Sequence, residues 1–81
     1  MFTPRFYFHI RNDLTADDEE GVELADETAA KEHALEGARS LVCASIHEHG
    51  SVNLDHRIEV TNDQHQRVLT LTFREAFTIT N

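Results

Sequence analysis

Apolar and polar residues alternate strictly from Arg5 to Arg11, which predicts a half-buried β-strand. Phe6, Phe8 and Ile10 face a core in that reading, and Tyr7, His9 and Arg11 are left free on the other side. Asn12-Asp13 supplies turn chemistry, and Leu14 to Glu20 forms a polar, acidic connection. Gly21 marks a backbone position that needs positive φ, and Val22-Glu23-Leu24 alternates again, so a short second strand is expected at about 20–24.

The period then changes. Asp26 is a suitable N-cap, Glu27 places a negative charge where the helix dipole favours it, and no proline interrupts Glu27 to Glu48. Ala30, Ala34, Ala38, Leu41, Val42, Ser45 and Ile46 share one stripe, with Leu35 at its edge, while Lys31, Glu32, Glu36, Arg39 and Ser40 take the opposite face. The small early alanines let such a helix lie close to a sheet. Gly50 suits the position that ends the helix in a left-handed turn. Gly37, in mid-helix, costs about 1 kcal/mol relative to alanine. His56 to Asn62 predicts a third strand with Ile58 and Val60 inward and Arg57, Glu59 and Thr61 outward. Asn62-Asp63-Gln64-His65 turns the chain. Val68 to Phe73 predicts a fourth strand, with Leu69, Leu71 and Phe73 on one face and Val68, Thr70 and Thr72 on the other. Phe77 and Ile79 anchor either a closing turn or a last short strand.

These elements give a ββαββ pattern and an α+β class, two layers with one amphipathic helix packed on one face of a mainly antiparallel sheet. Eighty-one residues suffice for a single domain, 1–81, with one modest core. No apolar run is long enough to cross a bilayer, and residues 1–10 do not read as a signal peptide, so the expected compartment is cytoplasmic. Cys43 is the only cysteine, which rules out an internal disulfide and agrees with a reducing environment. Acidic side chains number 15 against 7 basic ones, a formal net charge of −8 that repels phosphates. Nucleic acid is therefore not an expected partner, whereas a basic protein is compatible. The six histidines would bring the charge to about −2 if all were protonated near pH 5.

With these segments placed, the chain resembles a family of bacterial proteins of about eighty residues catalogued only as a domain of unknown function. The resemblance rests on the aromatic strand Arg5-Phe6-Tyr7-Phe8-His9-Ile10-Arg11 and on Glu19-Glu20-Gly21-Val22-Glu23-Leu24. An Asp-initiated, Ala-rich helix follows, then the pair Arg57-Ile58-Glu59-Val60-Thr61-Asn62 and Val68-Leu69-Thr70-Leu71-Thr72-Phe73. It implies no activity and no catalytic residues. The histidine-rich stretch from His47 to His56 departs from the family pattern, so a function placed there would be particular to this chain. A looser similarity, at the level of fold alone, is to small antitoxin domains with a partial ribonuclease-H-like sheet.

Candidate chemistry is sparse. Cys43 and His47 stack one helical turn apart and, with His49 or His56, have the spacing of metal ligands. A small core-edge thiol and histidines at a polar helix terminus explain the same residues without a metal. The Cys43–His47 pair as nucleophile and base lacks an orienting group and a cleft. Asp13, Asp17, Asp18, Glu19 and Glu20 do not follow the alternate spacing of a calcium loop. There is no glycine-rich phosphate loop. The expectation is a non-catalytic protein without cofactor that binds a protein partner, including itself as a homodimer, through the open sheet face or an edge strand. On that face stand Tyr7, His9, Arg11, Arg57, Glu59, Thr61, Val68, Thr70 and Thr72. An antitoxin-like or regulatory acidic binding protein is the alternative, and a small metal-binding protein the third reading.

Overall fold

A computed structural model describes residues 3–12 and 15–80. The elements are β1 (Arg5–Arg11), β2 (Thr15–Ala16), β3 (Val22–Glu23), α1 (Glu27–His49), β4 (Arg57–Thr61), β5 (Arg67–Thr72) and a 3₁₀ turn (Phe73–Ala76). The α+β reading holds: one helix packs on an antiparallel five-stranded sheet. The sheet order is β2-β1-β4-β5, with β3 also paired to β1. β1 is thus flanked by β4 on one side and by two short strands in succession on the other. Because β3 and β4 are both antiparallel to β1, α1 links two strands of like direction across the strand between them.

Local chemistry accounts for the helix. The Asp26 carboxylate accepts the Ala29 N–H at 2.9 Å, and Gly50 closes the helix at φ 69° with its N–H on the Ile46 carbonyl. Ala30, Ala34, Ala38 and Val42, each four residues apart, are the buried residues of α1. They meet Phe6, Ile58, Val60, Leu71, Phe73 and Ala76 in one core, with Phe8, Ile10, Leu35 and Leu69 half-buried around it. The buried stripe is narrower than the sequence pattern suggested. Leu41 and Ile46 are 38 % and 52 % exposed, because α1 lies over β4, β5 and the 3₁₀ turn and covers β1 only partly. A shallow hollow of about 300 Å³ remains there, lined by Phe8, Ile10, Gly37, Leu41 and Ile58, with the His33 ring 4.6 Å from that of Phe8.

Three further features refine the sequence reading. β2 is a separate two-residue strand inside what reads as an acidic connection. Of the two closing alternatives the chain takes a turn, a 3₁₀ turn whose Ala76 carbonyl accepts the Arg39 Nε–H at 2.6 Å, with Phe77 packed on the core and Ile79 left 76 % exposed. Phe73 begins that turn and does not end the strand. Finally, the β4–β5 ladder carries a bulge: Val60 pairs with Leu69 but Thr61 pairs with Arg67, leaving Val68 as the extra residue. Val68 consequently packs against the core on the helix side, and its placement on the open face is corrected; Arg67 stands opposite Thr61 in its stead. Asp13, at the predicted turn, lies outside the described residues, as does Leu14. Among the described residues no helix is long and apolar enough to cross a membrane.

Gly21 and Gly37 make opposite demands. Gly21 has φ +69°, and a Cβ there would meet Arg5 Cγ, the Phe6 carbonyl oxygen and Tyr7 Cε2, each at 2.9 Å. A Cβ at Gly37 would meet only Ile58 Cδ1, at an ordinary 3.7 Å. In urea unfolding, Gly37→Ala therefore raises stability by about 0.5–1 kcal/mol. Gly21→Ala lowers it by more than about 1 kcal/mol, through both φ and crowding. Equal effects of the two substitutions would contradict this assignment.

Candidate functional site

The open face of the sheet is less open than the pattern implied, because residues 17–21 fold against it. Phe8 lies in β1 between the segment paired with β3 and the segment paired with β2. Its N–H donates to Asp18 Oδ2 at 3.1 Å, while Asp18 Oδ1 accepts from Glu20 N at 3.1 Å and Gly21 N at 3.0 Å. One carboxylate thus replaces a missing stretch of strand and pins the loop to the sheet edge. Burial pushes the Asp18 carboxyl up. The N–H groups of Gly21, Phe8 and Glu20, with His9 nearby, pull it further down, so it ends below the usual carboxylate range.

The loop also fixes His9. The Asp18 N–H donates to His9 Nδ1 at 3.1 Å, which places the neutral ring's proton on Nε2, where it reaches Thr61 Oγ1 at 3.0 Å. Arg11 bridges Asp17 at 2.8 Å and Glu59 at 3.3 Å, and Glu59 also takes Arg57 Nε at 3.3 Å. The hydrogen bond that Arg11 donates to Asp17 leads in raising the Arg11 pKa further, and burial opposes it in part. Tyr7 lies beside Gly21. Only 15 % of the His9 side chain is exposed. Tyr7, His9 and Arg11, expected to be free, are thus half-buried and engaged with the loop or with β4. The register places Arg57, Glu59, Thr61, Thr70 and Thr72 on the same face, with Thr70 exposed and the Thr72 hydroxyl donating to Glu75 Oε1 at 3.1 Å.

The metal candidates are not gathered. Cys43, His47 and His49 are exposed near the end of α1, and His56 is half-buried beyond it. Among the described residues no group of three or more His, Cys, Asp or Glu side chains could hold a metal ion. Asp17 and Asp18 of the calcium set are engaged by Arg11 and by backbone N–H groups, Glu19 and Glu20 are exposed, and Asp13 lies outside the described residues. A hollow of about 500 Å³ lies between α1 and the loop after it, with Ser45, Glu48, His49, Asn53 and His56 in its wall.

The two edges of the sheet differ more than its faces. The β1 edge is closed by β2, β3 and Asp18. The β5 edge has no strand beside it among the described residues. Sequence reading missed Asp18 as the anchor; its signal is an aspartate three residues before a glycine of positive φ, a side-chain-closed turn.

Asp18→Ala should lower stability by about 2 kcal/mol at neutral pH, since three N–H groups lose a charged acceptor. A depressed folded pKa means that this stabilisation is complete above the unfolded value of about 4 and is lost as pH falls through the folded one. Urea titrations at stepped pH should show the gap between the two proteins shrinking below pH ~4. No gap at neutral pH would refute the anchoring role.

Comparison with curated proteins and with solved structures gave no match. A family model does match, over residues 5–74, from β1 into the start of the 3₁₀ turn. The chain belongs to the family described as a domain of unknown function, DUF6894.

Proposed function

We propose that this chain is a non-catalytic interaction module that engages a protein partner through the free edge of β5. The observation that carries the reading is the asymmetry of the sheet: one edge is closed by two short strands and a carboxylate, and the other is bare among the described residues. A bare edge offers a row of backbone donors and acceptors for an added strand. The open face is the weaker surface, because its Arg11, Glu59, His9 and Thr61 side chains already satisfy one another. Overall charge does not decide the occupant: −8 suits a basic partner, as an antitoxin-like role would need, while the edge itself carries both Arg67 and Glu75.

A photoreactive phenylalanine analogue in place of exposed Thr70, introduced in the native host, tests the edge directly. The expected result is one discrete adduct whose second chain is identified by mass spectrometry, and no such adduct from the same analogue at Asp63 in the hairpin turn. Absence of an adduct at position 70, or equal labelling from both positions, would overturn the reading.

A further inference from the structure

Building on the interaction reading above, we infer that the occupant of the β5 edge is a second copy of this chain, paired antiparallel about a two-fold axis. The backbone sets the register. Phe73 N donates to the His56 carbonyl at 2.8 Å, so Phe73 directs its backbone groups toward the β4 side. Alternation along β5 then turns Leu69 and Leu71 toward β4, and turns the N–H and C=O of Thr70 and Thr72 outward; the Thr72 carbonyl also caps the 3₁₀ turn and has its second lone pair for an added strand. Two copies whose Thr70 faces the partner's Thr72 satisfy all these outward groups in pairs, with the axis at Leu71. An isologous contact of this kind closes on itself and needs no second surface.

The charges fit the same arrangement. Arg67, at the start of β5, is exposed and has no ion-pair partner among the described residues. Glu75, just past the end of β5, is exposed, and among the described residues its carboxylate engages only the Thr72 hydroxyl. Antiparallel pairing sets the start of one β5 against the end of the other, so each Arg67 approaches the Glu75 of its copy, twice per dimer. Beside the strand runs a shallow groove of about 350 Å³, where half-buried Val68 and Leu69 lie between acidic Glu27 and Glu75 and basic Lys31. The two-fold brings two such grooves together, which adds apolar burial to the strand pairing.

Sedimentation velocity from micromolar to millimolar concentration reads the association. Arg67→Glu alone and Glu75→Arg alone should each weaken dimerisation roughly tenfold or more, because each turns two attractions into repulsions. The double exchange Arg67→Glu/Glu75→Arg should recover affinity to within about threefold. Thr70→Pro should abolish dimerisation while circular dichroism shows an intact fold, since it removes an N–H that the β4 ladder does not use. Should that variant fail to fold, the charge exchange still decides. A wild-type chain that stays monomeric throughout, or a dimer indifferent to the exchange, overturns the self-pairing. A monomer that still gives the position-70 adduct with another protein would overturn self-pairing alone and leave the interaction reading standing.

Discussion

The close approach of one helix to the sheet is the constraint on which the rest of the molecule depends. A chain of 81 residues has a single long helix with which to cover an apolar sheet face, and three of its four buried helical residues are alanines. Alanine contributes little apolar area itself. It lets the helix backbone come down onto Ile58, Val60 and Leu71, and those side chains supply the burial. The helix is centred over β4 and β5, so β1 is covered less completely and Phe8 and Ile10 remain half-buried. The 3₁₀ turn completes the far side by placing Phe73 and Ala76 in the core, and the Arg39 side chain ties its carbonyl to α1.

From that placement follows the different treatment of the two sheet edges. β1 is only partly covered by the helix and is bordered by two short strands, and the gap between them is filled by a side chain. The Asp18 carboxylate does there what a third strand residue would do, accepting the Phe8 N–H, and it folds the acidic loop back through Glu20 and Gly21. The loop in turn orders His9 and Arg11, so the polar face of the sheet is a set of mutually satisfied groups. β5 has no such cover among the described residues. Its bulge at Val68 lends that side chain to the core and moves Arg67 onto the open face.

Much of this was legible in the residues. Strict alternation placed β1, the inward Ile58 and Val60 of β4, and Leu69 and Leu71 of β5, because a period of two admits few other readings. Asp26 and Gly50 bounded the helix through capping chemistry that is local and therefore visible. What stayed hidden depends on long-range geometry. The bulge at Val68 inverts a residue whose own neighbours read as regular strand. Leu41 and Ile46 fit the helical stripe yet lie outside it, because where a helix sits on a sheet depends on the whole layer. The ties from Asp17 to Arg11 and from Asp18 to Phe8 span 6 and 10 residues, and composition showed only an acidic segment. The family match assigns no chemistry to any of these positions.

The edge beside β1 is closed at its middle by a side chain and not by backbone, and this sets a limit on how the protein can assemble. A domain with one open edge can pair once and stop. A domain with two can add copies at both ends and grow as a continuous sheet without a terminus. Asp18 fills the stretch of that edge which β2 and β3 leave uncovered, so one side chain completes the closure that backbone begins.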